Sequence, residues 1–566
     1  MGLPIRQLNI FFSCLLLQAC SSNQQAYRLA VPDSPQTLEH SRYLAGSGRA
    51  TEGIASYLAH ARQTGVHDFT TLRMLAKQLI WESGIHGRPG TQIMALYGAS
   101  ISQDQDLFPI LESAIHSKFP EVQLVTLNLI EQSSGGDVDK LLVFAMSSPN
   151  WMIRLQAAYL LAKRQSTNAF YQIDALYQKV PEQLQMFFAE LYACEGSQAS
   201  LRRLRQLLHH NDPLVRVQSI LSIARYKRDE LLEEIHQLNK QIHNAQKEAC
   251  LFAFSQLNDH FAIEELQKAR QASFSSISLS ALNSLYQLGD ETTIPEITRI
   301  AETGDLYAIN ILAQIPESAD SLYALTKHQD HSVRLNATIA LLQQRDERCL
   351  PNFLEFFIEK DSDSTLVREQ SPGGALYYWN IQRYPTNPMK MEVSDRLLEA
   401  FLLKSFEISD TFSLKLSQKL LQNPKNHLTR LAVYYLENHR SPETLELLES
   451  SRQMLGRPLV RISCNLALYR ITGEQAYAGD IELWMKQQLL SSKLRMRPQL
   501  PWMSSELEST VYELSPEDTT ALFMESVQAL AQRQDQNGIE TLLEIILESP
   551  PEARPLIASL VIQATI

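Results

Sequence analysis

The sequence is poor in glycine and lacks the motifs of the common enzyme classes. Only 20 of its 566 residues are glycine, and neither phosphate-binding pattern, G-x-x-x-x-G-K-[ST] or G-x-G-x-x-G at a strand-to-helix turn, occurs. H-E-x-x-H and G-x-S-x-G are also absent. These absences argue against the usual nucleotide, zinc-peptidase and serine-hydrolase sites. We therefore predict no catalytic residue, no metal site and no cofactor.

Cysteine is scarce and widely spaced. The chain has six cysteines and no C-x-x-C, which removes support for a zinc ribbon or a thioredoxin-like redox motif. Cys250 and Cys464 each lie three residues after a basic residue and are predicted to be small core residues. Cys194 and Cys250 are far apart in the repeat pattern described below, so no disulfide is predicted between them.

Positive charge is also in short supply. The formal net charge of −12 argues against general nucleic-acid binding, which needs clustered positive charge. One stretch, between Leu201 and Arg228, is an exception. Its cations are Arg202, Arg203, Arg205, Arg216, Arg225, Lys227 and Arg228. It is interpreted either as a basic face for an acidic partner or lipid head group, or as a solvated face neutralised by the acids at 229–234.

What the sequence does have is a repeat of 31 residues. Seven marker positions carry it: Gln92, Gln123, Arg154, Gln185, Arg216, Lys247 and Ser278. The positions four and seven residues after each marker are apolar in every unit, and a third apolar column runs from Leu111 to Ile297. Offsets of three, four and seven lie on one face of a helix. Each unit is therefore predicted to be a helical hairpin that must stack on its neighbours to bury its apolar faces.

Some units resemble HEAT repeats. Asp212-Pro213-Leu214-Val215-Arg216 followed by Ala224 is similar to the D-P-x-V-R-x-x-A pattern of that family. The theme returns around Arg154, at Asp330 to Arg334, and at Arg461. The resemblance implies structural roles for these residues, with Asp and Arg linking the turn of one unit to its neighbour. It also implies an incomplete ladder of polar contacts where the marker is Gln123, Gln185 or Ser278. HEAT arrays serve many functions, so the resemblance specifies a fold only.

The N-terminus resembles a bacterial lipoprotein signal. Arg6 precedes an apolar run at 8–17 that is too short to span a bilayer and ends in Leu17-Gln18-Ala19-Cys20. In that class the peptide is cut before the cysteine, which then carries a diacylglycerol and commonly a further acyl chain. Cys20 is the predicted lipidation site, and Ser21 is compatible with outer-membrane sorting. The alternative is an uncleaved signal anchor.

Two segments interrupt the repeat. The first, at 361–388, contains Ser371-Pro372-Gly373-Gly374 followed by Tyr377, Tyr378 and Trp379. Long loops inside repeat arrays are commonly functional, so these aromatics are interpreted either as an anchoring patch for a partner or as a seal between two halves of the array. A second segment at 493–503, which includes Trp502, has the same two interpretations. The apolar tail at 556–566 is predicted to cap the core.

The sequence as a whole predicts an all-α fold, a right-handed α-solenoid of stacked HEAT-like hairpins in two arrays. The expected divisions are a signal peptide (1–19), a lipidated cysteine and tether (20–45), an N-terminal solenoid (46–360), an irregular insertion (361–392) and C-terminal repeats with a cap (393–566).

The predicted function is a membrane-tethered scaffold or assembly factor in the bacterial cell envelope, at the outer membrane facing the periplasm. Its partners would be other proteins, together with the membrane through Cys20, and its oligomeric state is left open. Two alternatives remain: an enzyme or lyase with a site in the groove of the array, and a glycan-binding lipoprotein using Trp379 and Trp502. A perturbed carboxylate or histidine buried in the groove would favour the enzyme.

Overall fold

The protein is described by a computed structural model. It covers residues 37–131, 138–181, 184–241, 243–359, 364–382, 388–422, 426–454, 456–490, 516–533 and 536–565. The chain forms two compact units, the first from residues 1–135 together with 414–566 and the second from 136–413. This division follows packing, whereas the predicted divisions followed the N-terminal signal motif and the segment that interrupts the 31-residue repeat.

Helices dominate both units. The N-terminal part of the first unit contains α1 (Leu38–Gly46), α2 (Ala50–Thr64), α3 (Phe69–His86), α4 (Pro89–Ser102), α5 (Phe108–Ala114) and α6 (Pro120–Ile130).

The second unit begins with fifteen helices that alternate between two layers. They are α7 (Val138–Ala145), α8 (Trp151–Lys163), α9 (Ala169–Tyr177), α10 (Met186–Glu195), α11 (Gln198–Leu208), α12 (Pro213–Arg225), α13 (Leu232–Asn239), α14 (Asn244–Gln256), α15 (Ile263–Ala269), α16 (Ser275–Gln287), α17 (Ile294–Glu302), α18 (Leu306–Leu312), α19 (Ala319–Leu325), α20 (His331–Gln343) and α21 (Leu350–Leu354). The even-numbered helices from α8 to α20 contact one another in sequence and form what we call layer A. The odd-numbered helices pack against them as layer B.

A π-helical turn at Glu355–Glu359 follows α21. After it come two strands and more helices: β1 (Ser364–Gln370), β2 (Leu376–Gln382), α22 (Pro388–Ser405) and α23 (Asp410–Gln422). The first unit resumes within α23, at Leu414. It continues with α24 (Asn426–His439), α25 (Pro442–Arg452), α26 (Pro458–Thr472), α27 (Gln475–Leu490), α28 (Pro516–Arg533), α29 (Gln536–Glu548) and α30 (Arg554–Ala564). The prediction of an all-α fold of stacked helical hairpins is confirmed.

The apolar columns of the repeat form the core. The column four residues after the markers, from Leu96 to Leu282, is 0% exposed at all seven positions. The column seven after the markers and the one from Leu111 to Ile297 are no more than 6% exposed. Ile263, three residues before Leu266 of the last of these columns, is 39% exposed. It lies at the first residue of a layer B helix, where one side faces solvent.

The polar residues of the repeat bind backbone groups. Asp212 and Asp330 cap the starts of α12 and α20, accepting from the backbone N–H two residues ahead. Arg216 donates to the carbonyl oxygens of His210 (2.7 Å) and Asn211, and its Nε donates to Gln246 of the next unit at 2.8 Å. The link between units is therefore an arginine–glutamine bond, where the HEAT resemblance implied an aspartate–arginine one.

The other arginines singled out by the HEAT resemblance have three different environments. Arg334 repeats the carbonyl contacts of Arg216, Arg154 stacks on Trp151 with 3.6 Å between its guanidinium carbon and the ring centroid, and Arg461 is exposed.

Side-chain hydrogen bonds to backbone carbonyls also occur at two positions where the marker is uncharged. The side chain of Gln123 donates to the carbonyl of Ile115 at 3.0 Å, and Ser278 donates to the carbonyl of Arg270 at 2.7 Å. Both acceptors lie eight residues before the donor, near the end of the preceding helix, which is the region that Arg216 also reaches. The expectation of gaps was wrong at Gln123 and Ser278, because a short polar side chain can bind a carbonyl that needs no charged partner. The side-chain oxygen of Gln185 instead contacts His210 Nε2 at 3.2 Å.

Residues 364–382, expected to be irregular, include an antiparallel hairpin. β1 and β2 pair in register from Ser364 with Gln382 to Gln370 with Leu376. The strands are rich in β-branched and aromatic residues, and Pro372 and the glycine pair lie in the turn between them. The helical period used to interpret the chain does not detect such a segment.

The C-terminal tail is buried, as predicted, but it does not end an array. Helix α30 packs against α3 and α4, and α29 packs against α2. Ile557 and Ile562 are 0% exposed, and the Gln563 side chain donates to the carbonyl of Ile101 at 2.9 Å. The last helices therefore complete the core that the first helices begin.

We predict that Ile220→Ala and Leu251→Ala each lower the free energy of unfolding by about 2–5 kcal/mol, because both side chains are fully buried between stacked hairpins. Leu214→Ala is the matched control, since Leu214 lies in the same helix as Ile220 and is 49% exposed. Its cost should stay near ±0.5 kcal/mol. Urea unfolding followed by circular dichroism measures all three, and equal costs would contradict this assignment of the core.

Candidate functional site: layer A and its hairpin

Layer A binds the hairpin through side chains that contact its main chain. β2 packs on α18 and α20. On α20, the Asn336 amide donates to the carbonyl of Tyr378 at 2.8 Å and accepts from the N–H of the same residue at 3.0 Å. On α18, the Asn310 side-chain oxygen accepts from the N–H of Leu376 at 3.1 Å. The two amides therefore bind β2 as a neighbouring strand would.

The turn of the hairpin is bound in the same way. The Gly373 N–H donates to Glu248 Oε1 on α14 at 2.9 Å, and the Tyr307 hydroxyl on α18 donates to the Gly373 carbonyl at 2.9 Å. Glu248 and Tyr307 are 5% and 3% exposed. We call Glu248, Phe252, Tyr307, Asn310 and Asn336 the hairpin seat.

Two glycines make this approach possible. A Cβ atom at Gly373 would collide with the Tyr307 hydroxyl and press on the Glu248 carboxylate, and one at Gly374 would collide with the Phe252 ring. Gly374 also has a φ of +83°, in the region that favours glycine. The turn can therefore approach the seat closely because its two glycines carry no side chain.

The Glu248 carboxylate sits in an environment that opposes its charge. Burial raises the pKa of Glu248, while hydrogen bonds from Gly373, Ser371 and Ser276 act in the opposite direction. Burial likewise raises the pKa of Tyr307, and it raises the pKa of Tyr377 to about 12. A perturbed carboxylate is thus present, the feature set out above as favouring an enzyme. It is covered by the hairpin turn and already binds a backbone N–H.

The three aromatics proposed as an anchoring patch lie against the chain itself. The Tyr378 ring is 4% exposed and packs edge-on against Phe401, with ring centroids 5.4 Å apart. Tyr377 is half-buried beside Tyr307, at 6.3 Å. Trp379 is also half-buried, and its indole N–H lacks an acceptor among the described residues. Of the three, Tyr378 is the residue that the seat binds through its backbone.

The cations between Leu201 and Arg228 form ion pairs with acids of the second unit or hydrogen-bond to its backbone carbonyls. Arg203 pairs with Asp174 at 2.6 Å, Arg205 pairs with Glu234, and Arg225 pairs with Glu190 at 2.8 Å. Two of these acids belong to the preceding repeat, so the neutralising charge comes from farther back than the 229–234 acids.

The remaining cations of this stretch bind backbone carbonyls. Arg228 donates to the carbonyls of Ala193 (2.7 Å) and Cys194, lying against Gly196. Arg202 donates to Gln198 at 3.3 Å, and Lys227 donates to Gln256. A cavity of about 290 Å³ beside Arg203 is lined in part by Tyr177, His209 and His210.

The described residues contain no group of three or more His, Cys, Asp or Glu placed to hold a metal ion. The backbone N–H of Asp330 donates to Nδ1 of His328 at 3.0 Å. The four described cysteines, Cys194, Cys250, Cys349 and Cys464, are free and buried, which confirms the packing role predicted for Cys250 and Cys464. Of the helices that the structure describes, none is both long enough and apolar enough to cross a membrane. Cys20 and Trp502 lie outside the described residues.

Sequence reasoning missed the seat, although a signal was there. The column one residue after the marker reads Leu155, Met186, Val217, Glu248, Leu279 and Asn310. An acid and an amide interrupt a column that is otherwise apolar. Polar residues in an apolar repeat column indicate a ligand or a packed segment with polar groups to satisfy.

Comparisons with known proteins found no matching family model and no matching curated protein. Solved structures do match. A chain of the complex of CpcE and CpcF of phycocyanin lyase from Nostoc sp. PCC7120 is 18% identical over 40% of this chain and 91% of that one, with a TM-score of 0.28. A chain from the structure of Kap95p binding to RanGDP is 11% identical over 90% of this chain and 69% of that one, with a TM-score of 0.27. The fold assignment rests on the packed helices themselves.

We predict that Glu248 makes the hairpin less stable as pH rises. The folded-state pKa of its carboxyl is raised above the ordinary 4.5, so the folded state binds its proton more tightly than the unfolded state does. The stability that this proton confers is present below pH 4.5 and is lost as pH rises through the folded pKa. Hydrogen exchange at the β2 amides between pH 4 and 8 measures the effect.

Two substitutions separate charge from hydrogen bonding at Glu248. Glu248→Gln keeps an acceptor for the Gly373 N–H and should flatten the pH dependence. Glu248→Ala should destabilise the hairpin by about 1–3 kcal/mol, because a buried N–H is left unpaired. If the wild-type chain and Glu248→Gln show the same pH dependence, the prediction fails.

Proposed function

We propose that this protein is a lipid-anchored scaffold of the bacterial cell envelope, which binds segments of other proteins along layer A of its repeat array. One observation carries the proposal: side chains of layer A hydrogen-bond to the main chain of the hairpin, Glu248 and Tyr307 at its turn and Asn310 and Asn336 at β2. Groups that bind a main chain are suited to recognising peptides, since every peptide offers them.

The position of the acid favours a scaffold over an enzyme. Glu248 is 5% exposed beneath the hairpin turn, and it accepts hydrogen bonds from backbone and hydroxyl groups. A general acid or base must lie within hydrogen-bonding reach of its substrate. The groups that lie within that reach of Glu248 belong to the hairpin and to Ser276, and a scaffold needs no reacting group.

The lipid anchor is supported by the sequence around Cys20. An acylated cysteine would hold the array at a membrane, and attachment would raise the local concentration of the array near partners in or on that membrane. A tethered array of this kind would act at the surface of the outer membrane that faces the periplasm.

We predict that Cys20→Ala moves the protein from the membrane fraction to the soluble fraction without unfolding it. Removing the acylated residue removes several acyl chains, on which stable anchoring depends. Fractionation of cells and circular dichroism of the purified protein are the measurements. Cys14→Ala is the matched control, since Cys14 lies inside the predicted signal and its loss should leave membrane attachment unchanged.

Crosslinking in cells followed by mass spectrometry tests the scaffold. Partners crosslinked to layer A in the wild-type chain, and lost in the Cys20→Ala chain, are the expected result. Retention on cell-wall sacculi with no protein partner would overturn it in favour of glycan binding.

A further inference from the structure

The hairpin seat is built from polar groups at positions where an array of helices could have used apolar ones. Glu248 and Asn336 are 5% and 4% exposed, and the backbone of the hairpin satisfies them at Gly373 and Tyr378. Burying an acid that no cation compensates is costly, and an apolar contact of the same size stabilises a fold as well or better. A contact that served only to seal the array would not need these groups.

The seat is also spread over separate repeats. Its members lie on α14, α18 and α20, and they bind consecutive parts of one segment: Glu248 and Tyr307 the turn, then Asn310 and Asn336 the strand. Each of these four contacts is made to a main-chain atom. The seat therefore recognises the backbone of a turn followed by a strand, while Ser371 adds a side-chain hydrogen bond to Glu248.

The steric fit defines the segment that the seat accepts. Two adjacent glycines are required because a Cβ atom at Gly373 or Gly374 would collide with Tyr307 or Phe252. Ala375, next along, is 2% exposed, which restricts that position to a small residue. Three residues further, the Tyr378 ring is 4% exposed against Phe401. The accepted pattern is Gly-Gly-small-x-x-aromatic, with the two glycines in a turn and the residues from the first x onward in a strand.

Two polar groups at the docked hairpin are in unfavourable environments. The Trp379 indole N–H is buried with no acceptor among the described residues, and the charge of Glu248 is opposed by its burial. Both features weaken the docking of the hairpin relative to a contact with all polar groups satisfied.

From these observations, we propose that the hairpin seat is a peptide-binding site that the chain's own hairpin fills, and that a partner protein's Gly-Gly-small-x-x-aromatic segment, turned at its glycines and extended after them, binds there in its place. The proposal rests on the scaffold function above and names the chemistry that the scaffold recognises. Access to the site is then governed by the release of residues 371–379.

The test uses a fluorescently labelled peptide with the sequence of residues 370–380 and the full chain in detergent. Gly374→Val in the chain should expel its own turn, because valine collides with Phe252 and disfavours a φ of +83°. Fluorescence anisotropy should show the variant binding the peptide at least about tenfold tighter than the wild-type chain does, since the site is vacated.

Three controls locate the binding. Gly289→Val also replaces a glycine with positive φ, at +100°, but nothing lies within 4 Å of its Cβ position, so this variant should behave as the wild-type chain does. Adding Asn336→Ala to Gly374→Val should weaken peptide binding about tenfold, since two main-chain bonds are lost. A peptide carrying valine in place of Gly374 should not bind.

Two results overturn the proposal. One is a folded Gly374→Val chain whose β2 amides exchange freely but which binds no peptide. The other is equal binding by the wild-type and Gly374→Val chains, which would place the peptide elsewhere. If Gly374→Val does not fold, Gly373→Ala replaces it, since the three atoms nearest to that Cβ position are side-chain atoms of Tyr307 and Glu248. Peptide binding without any partner captured in cells would instead count against the envelope scaffold alone.

Discussion

The structure depends on one constraint: a single helical hairpin leaves apolar surface on both sides and must stack to bury it. In the second unit, α7 to α21 meet this constraint by alternating between two layers, and the column from Ala158 to Leu282 is fully buried along layer A. The polar residues at the start of each helix then act on backbone groups that the stacking leaves unpaired. Asp212 caps a helix, while Arg216 and Ser278 bind carbonyls near the end of the helix before.

The hairpin seat differs from the rest of layer A, because there the stacked helices also bind the main chain of another segment. The helices of layer A fix the spacing of Glu248, Asn310 and Asn336, and the segment they bind must match that spacing in an extended conformation. Rigid helices are a good support for such a site, because the positions of the binding groups change little when the bound segment is exchanged. The seat therefore consists of a few polar residues on layer A helices, and apolar packing sets the positions of those helices.

The core was predictable from sequence because its signal is local and repeated. Leu96, Ile220 and Leu251 occupy the same offset in their units, and the structure buries each of them completely. The hairpin was not predictable in this way, since its strands occur once and follow a different period. The seat was harder still, because Gly373 meets Glu248 across 125 residues of sequence. No local pattern reports such a contact, and the polar residues that interrupt the apolar column after the marker were its only trace.

The packing of α30 against α3 and α4 bears on how the chain reaches its folded state. The bond between Gln563 and Ile101 joins residues 462 positions apart, so the helices made first cannot complete their core until the last ones have been synthesised. Until then, α3 and α4 expose apolar surface that chaperones and proteases bind. A chain that lacks α30 keeps that surface exposed and becomes a target for degradation. The folding of α3 and α4 is therefore coupled to the synthesis of α30.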